Sequence, residues 1–540
     1  MLSGIKPGCR ARGVGRWGPC LAFLLLAWLA LPPAFAGGTD DPEAARRSVE
    51  LVAASGKQPV ESAASPVGIP ELPKQPAIAL PAKRPTGVPA AGAPPSVLAM
   101  LRRAGVSVDE IGLLAVSLDD GRPLARWNED RAFNPASTMK LLTTHAALGM
   151  LGQDYRWRTG VYLTGLLDGD RLDGDLVLRG GGDPKLVIED MLALVARMRA
   201  SGLRRIDGDL VIDDSLYELD QARLEPIDGE LTRPYNVTPF PALMNFKSTR
   251  FVFTPGKQGL SIALDPPLAD VKIVNKVRLV RERCRHGPGS VRIVDQSDDK
   301  DARVEVTGRY SSGCGRQGMF AAVLSHRQFI HGFFKAAWLE SGGEWNGLTR
   351  VETGAAQGKP WLVWESPRTL AEVAVDVNKT SNNVMTRQLL LQLAADVMKL
   401  PATMDRARMT VLGWLEQRGL DFPDLVLDNG SGLSRSERMS AAAQVRLLRD
   451  AAGSPYADLF RASLPIIGVD GTMRYRLRDH PVRGNGWIKT GSLDEVRAIA
   501  GYVDAASGRR YAVSMLVNSP HAEASRAAQD EFLRYVYVNG

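Results

Sequence analysis

Regular alternation of apolar and polar positions begins near Val97. VLAMLRRAG predicts a short helix, IGLLAVSL a strand, Asp119-Asp120-Gly121-Arg122 a turn, and Leu124 to Trp127 a return strand. After Lys140 the apolar residues Leu141, Leu142, Ala146, Leu148 and Leu151 follow the spacing of a helix with a buried side. Near the other end GWIKTGSL, RAIAGYVD and RRYAVSMLVN read as three strands, the last two joined by a turn at Ala506-Ser507-Gly508. A helix from about Glu523 closes the chain. Strands from both ends, flanked by helices, predict one antiparallel sheet built from both termini, an α/β (α+β) arrangement. Helical stretches such as Asn378 to Lys399 and Met404 to Gln417 would cover its faces.

Between about Thr159 and Gly354 the pattern shifts to short apolar strands separated by Gly and Asp turns. The stretch Asp-Gly-Asp-Leu-Val occurs twice there, at 173 to 177 and 207 to 211. Two hairpins with similar turn chemistry are the preferred reading, ahead of a partial internal repeat. GGGDP at 180 to 184 lacks the spacing and the Lys-Ser/Thr of a phosphate loop, so it reads as a structural turn.

The first 36 residues stand apart. Lys6, Arg10, Arg12 and Arg16 form a basic head, LAFLLLAWLAL an apolar run, and Ala34-Phe35-Ala36 a small-residue cleavage site, the layout of a secretory signal peptide. Residues 37 to 95 are rich in Ala, Pro, Ser and Gly and predict a flexible linker. Removal of the leader takes away four positive charges and no acids, so the net charge falls from +7 to +7 − 4 = +3. So mild a charge gives no case for nucleic acid binding, and no integral membrane span is expected after cleavage. Cys9 and Cys20 leave with the signal, and Cys284 and Cys314 remain as an even pair in an exported chain, for which a disulfide is the economical reading. Neither the cysteines nor the six histidines show the spacing of a metal site.

Three motifs carry chemistry. Ser137 and Lys140, in NPASTMKLLTT, would lie one turn apart on the same face of the helix that follows, close enough to exchange a proton. S-x-x-K also occurs at Ser3 to Lys6 and Ser297 to Lys300, without an apolar helix behind it, so alone it is a weak signal. Ser381-Asn382-Asn383 near a helix start is the sole S-x-N, and Lys489-Thr490-Gly491 on an edge strand the sole K-T-G. A serine hydroxyl needs a base beside it. Lys140 serves only if neutral, which burial and a second cation such as Lys489 would favour.

The order S-x-x-K, S-x-N, K-T-G resembles the class C low-molecular-mass penicillin-binding proteins, the D-alanyl-D-alanine carboxypeptidase/endopeptidase family. The resemblance runs from about Val97 to the C-terminus and includes GDLVLRGGGDP, DNGSGLSR, LPIIGVDGTMR and IKTGSLDEVRAIAGYV. It implies a serine β-lactamase/DD-peptidase-like antiparallel sheet flanked by helices, with β-rich domains inserted between the first and second motifs. The separation of those motifs, 381 − 137 = 244 residues, fits such an insertion. The peptidase domain would then comprise 96 to 158 and 355 to 540, and 159 to 354 would form two nested subdomains. By the same resemblance Ser137 is the nucleophile and Lys140 its base. Ser381 relays a proton to the departing amine, and Asn383 binds Lys140 and the substrate backbone. Lys489 and Thr490 bind the substrate's terminal carboxylate, Gly491 belongs to the same substrate-binding strand, and the N–H groups of Ser137 and Ser492 hold the oxyanion. Asn382 is Asp in many relatives and should support the loop. The implied activity is a periplasmic DD-carboxypeptidase or DD-endopeptidase. It would act on stem peptides ending in D-Ala-D-Ala or crosslinked, be acylated by β-lactams, and need no metal or organic cofactor. The alternatives are a wall-binding scaffold that keeps the fold, or a β-lactamase, whose first two motifs lie much closer together. A Ser-His-Asp hydrolase is disfavoured, since no G-x-S-x-G occurs and His145 reads as a packed or solvated residue.

Overall fold

The computed structural model describes residues 92–220, 228–284 and 290–540. The leader reading over 1 to 36, and all but the last four residues of the linker reading over 37 to 95, lie outside the described residues. Helix α1 (Pro95–Arg103) starts on a proline, where the missing N–H costs nothing. Strands β1 (Ile111–Ser117) and β2 (Pro123–Trp127) follow, and then helix α2 (Lys140–Leu151). Four further helices are α3 (Leu370–Thr380), α4 (Asn383–Met398), α5 (Met404–Gln417) and α6 (Ala441–Ala452). Strands β3 (Gly486–Leu493), β4 (Val496–Asp504) and β5 (Arg510–Asn518) precede helix α7 (Arg526–Asn539).

The five strands form an antiparallel sheet in the order β3-β4-β5-β1-β2, so the first strand pairs with the last and the K-T-G strand lies at an edge. Every residue of β1 is buried, because helices cover both faces. Leu113 and Ala115 point to the side packed with Val97, Leu101, Phe532 and Val536 of α1 and α7. Leu114 and Val116 point to the other side, against the cluster built from α2 to α6. That period of two fixes the register of the sheet.

Asn378 to Lys399 is not one helical stretch. It is broken at Ser381, which takes a left-handed conformation (φ 59°) between α3 and α4, and Asn382 caps α4 by accepting from the Met385 N–H at 3.0 Å. The closing helix begins at Arg526, after a 3-10 turn over Ala522–Ser525.

Between α2 and α3 lie a seven-stranded sheet and two three-stranded sheets, with a hydrophobic cluster of their own. The two Asp-Gly-Asp-Leu-Val stretches are not two hairpins. The hairpin turn falls earlier, between Arg158–Asp168 and Arg171–Arg179, and the repeated stretches lie side by side in parallel, Leu176 opposite Leu210 and Val177 opposite Val211. Their equivalent aspartates grip one side chain, Arg350 donating to Asp175 at 2.8 Å and to Asp209 at 3.0 Å. Cys284 and Cys314 are joined in a disulfide beside this core. No helix among the described residues is long and apolar enough to cross a membrane.

Candidate active site

Ser137 sits just before α2, in a 3-10 turn over Ala136–Met139, and not in the α-helix itself. In such a turn residues three apart eclipse, which sets Lys140 Nζ 3.0 Å from Ser137 Oγ. Ala136 pays for the tight entry with φ 43°, outside the comfortable range of an L-residue. Asn134 holds it there. Its Oδ1 accepts from the Ala136 N–H at 2.9 Å, and its backbone exchanges hydrogen bonds with the Asn518 side chain at 2.7 and 3.0 Å. The turn is sandwiched between two glycines whose missing side chains are required. A Cβ on Gly491 of β3 would come within 2.9 Å of the Ser137 nitrogen, and one on Gly432 within 1.9 Å of the Ala136 carbonyl oxygen.

Lys140 is fully buried. Besides Ser137, its Nζ meets Asn383 Oδ1 at 2.6 Å and the Ser431 carbonyl. Burial first, then the Lys489 charge and more weakly Arg387, hold its ammonium well below the ordinary lysine range, while Glu437 opposes them. The two N–H bonds of a neutral amine match the two carbonyl acceptors and leave its lone pair for the Ser137 hydroxyl proton.

Lys489 is equally buried, and burial brings it down to about 7. Its Nζ donates to Ser381 Oγ and to the Thr490 carbonyl, each at 2.8 Å. The predicted residues thus fall into two adjacent sets, Ser137 with Lys140 and Asn383, and Ser381 with Lys489 and Thr490. No hydrogen bond joins Ser381 to Lys140. Ser492 follows Gly491 on the same edge strand, exposed and opposite Arg497.

Several neighbours were not foreseen as participants. Thr472 accepts from Thr490 Oγ1 at 2.7 Å. Glu437, buried and pushed up to about 7 by burial, accepts from the N–H groups of Asn429 and Gly430 at 3.1 and 2.8 Å and so fixes the loop that brings Ser431 to Lys140. Arg387, one turn after Asn383, donates to the Tyr235 and Val237 carbonyls and anchors the inserted region to α4. DNGSGLSR and LPIIGVDGTMR contain three of these residues or lie beside them, so the signal was present without a role attached. His145 is buried against Asp450 at 2.8 Å and Tyr456 at 3.1 Å, with no serine in its hydrogen bonds.

A sheet closed by both termini, a serine and a buried lysine at its edge, and a second lysine beside them define the class of serine DD-peptidases. Residues 96–536 match the D-Ala-D-Ala carboxypeptidase 3 (S13) family, and the chain belongs to it. It is a serine-type hydrolase. The chain is 26% identical over 444 residues to the D-alanyl-D-alanine carboxypeptidase DacB of Haemophilus influenzae, covering 79% of this chain and 90% of the relative. It is 30% identical over 440 residues to the D-alanyl-D-alanine carboxypeptidase of an Actinomadura strain, covering 78% and 79% respectively. The crystal structure of penicillin-binding protein 4 from Haemophilus influenzae superposes with a TM-score of 0.69 at 24% identity, over 81% of this chain and 99% of that one. The fold is therefore a DD-peptidase sheet with inserted domains.

Proposed function

We propose that the protein is an exported D-alanyl-D-alanine carboxypeptidase, endopeptidase or both, working on peptidoglycan stem peptides through an acyl-enzyme at Ser137. The observation that carries this reading is the buried Lys140 amine 3.0 Å from Ser137 Oγ, with its other two partners both acceptors. Lys140 takes the hydroxyl proton as Ser137 Oγ bonds to the scissile carbonyl carbon. The oxyanion that forms is held by the N–H groups of Ser137 and Ser492. Ser381, whose oxygen accepts from Lys489, gives its proton to the departing nitrogen as the C–N bond breaks and takes in return the proton that Lys140 removed from Ser137, so both groups are restored. Lys489 and Thr490, with Gly491 keeping the strand close, hold the substrate's carboxylate by charge-assisted hydrogen bonds. Water then attacks the ester, and Ser137 recovers its proton. β-Lactams enter the same path and stop at the ester.

The same reading assigns residues 96 to 158 and 355 to 540 to the peptidase body and 159 to 354 to the insertion. It places the mature protein in the periplasm, soluble or loosely attached to the membrane. Intact mass spectrometry after incubation with benzylpenicillin tests it. One stable adduct on the peptide bearing Ser137, lost in Ser137→Ala, is expected. A folded protein without an adduct would favour the scaffold alternative, and rapid turnover of the antibiotic a β-lactamase.

A further inference from the structure

Beyond the contact between Thr490 and Thr472 the chain carries a group that the chemistry above leaves unused. Tyr475 is 73% exposed, and the guanidinium carbons of Arg474 and Arg478 lie 5.5 and 4.4 Å from its ring centroid. Arg478 Nε also donates to the Arg474 carbonyl at 3.0 Å. Both arginines are exposed, and neither forms an ion pair with any described residue. Arg476, between them, is buried against Asp530 at 2.8 Å and ties the segment to α7. Two like charges are thus kept at one exposed ring, on an anchored segment, with no carboxylate paired to either among the described residues. A guanidinium on an aromatic face keeps its donors free for a planar anion such as a carboxylate.

Their place along the chain gives the pair a location. Tyr475 lies three positions after Thr472, a span of at most about 11 Å. Under the reading proposed above, on which this step rests, Lys489 and Thr490 hold the carboxylate of the departing residue. The segment that bears the arginines starts at Thr472, which is bonded to Thr490, so it adjoins the leaving-group side, where a departing D-alanine ends. A crosslinked substrate does not end there, because its departing amine belongs to a second stem peptide that continues outward and carries free carboxylates. We infer that Arg474, Tyr475 and Arg478 form a subsite for the carboxylates of the departing stem peptide, and that this subsite favours crosslinked peptides over a terminal D-alanine.

The test uses the mature protein, the Arg474→Ala/Arg478→Ala double variant, and an Arg474→Lys/Arg478→Lys version that keeps the charge. Three probes are compared: a purified crosslinked muropeptide dimer, diacetyl-L-lysyl-D-alanyl-D-alanine, whose sole charge is the terminal carboxylate, and benzylpenicillin. In the alanine variant KM for the dimer should rise about ten-fold at low ionic strength, with kcat nearly unchanged and the salt dependence flattened. The lysine version should recover most of that loss, and the tripeptide and penicillin rates should stay at the wild-type level. The inference is overturned if dimer cleavage and its salt dependence are the same in all three proteins, or if the tripeptide rate falls in parallel, which would mark a structural role. It also fails, with the Ser137 reading left standing, if the wild type takes penicillin and the tripeptide but not the dimer. Absence of the penicillin adduct in the wild type would overturn both.

Discussion

Gly432→Ala should disable the site without touching any residue that reacts. A Cβ there would stand 1.9 Å from the Ala136 oxygen and 2.5 Å from the Ser137 nitrogen, both backbone atoms that no rotamer change can move away. Contacts under 3.0 Å are essentially never seen, so the loop and the serine turn must part by at least 3.0 − 1.9 = 1.1 Å. A displacement of about 1 Å from the reactive geometry costs about 100-fold in rate. The same movement pulls the Ser431 carbonyl away from Lys140. Gly432 also has φ +79°, where an alanine costs about 1–2 kcal/mol, so the melting temperature should fall by a few degrees. The assay is the second-order rate of benzylpenicillin acylation, with folding checked by circular dichroism. Gly413→Ala, inside α5 with nothing within 4 Å of its Cβ, serves as the control and should acylate normally. A folded Gly432→Ala protein acylating within about three-fold of wild type would refute the claim that this close approach sets the position of Ser137.

Three further outcomes are expected. Lys489 titrates near 7 when folded against an ordinary 10.5. Between those values the unfolded chain binds a proton that the folded one does not, so stability rises with pH there. Lys489→Met should therefore melt higher than wild type at pH 6, lose that advantage by pH 10, and acylate much more slowly at every pH; a variant that melts lower at pH 6 would contradict the burial argument. Removing the cation should also raise the Lys140 pKa and move the acid limb of any residual acylation to higher pH. Cys284→Ser/Cys314→Ser should lower stability by about 3 kcal/mol and leave penicillin acylation unchanged, as thermal melts and adduct formation would reveal. Asn382→Ala removes the cap of α4 and should cost about 1 kcal/mol, whereas Asn382→Asp keeps an accepting oxygen and should melt within a degree or two of wild type.

The sheet and the three motifs were legible because each rests on a local signal. Continuous apolar runs bounded by turn residues mark β1 and β5, helical spacing marks α2, and the motif residues are short strings in a fixed order. Asn382 does what its residue type suggested. The parts that escaped depend on which distant segments meet. Nothing local in Asp-Gly-Asp-Leu-Val says that two copies will pair in parallel, since a strand's partner is chosen by tertiary packing. The break at Ser381 was hidden because its neighbours continue an apolar helical pattern on both sides. Ser431 acts through its carbonyl, an atom every residue carries, so no residue type could announce it. Glu437 reads as one more surface acid in SRSERMS until the loop closes over it.

The sheet joins the first strand of the body to the last, and that ordering has a consequence in time. Ser137 is made 489 − 137 = 352 residues before Lys489, an interval of roughly 20 to 70 s at 5–20 residues per second. Lys140 waits 383 − 140 = 243 residues for Asn383 on α4 and 431 − 140 = 291 for Ser431, and it lacks the neighbouring Lys489 cation through the whole interval; until the site closes it is open to water and carries its proton like any surface lysine. Under the reading proposed above, a nascent or truncated chain therefore holds the nucleophile without its reactivity. The bond-cutting chemistry switches on only when β3 seals the edge, which makes completion of the chain itself the safety catch.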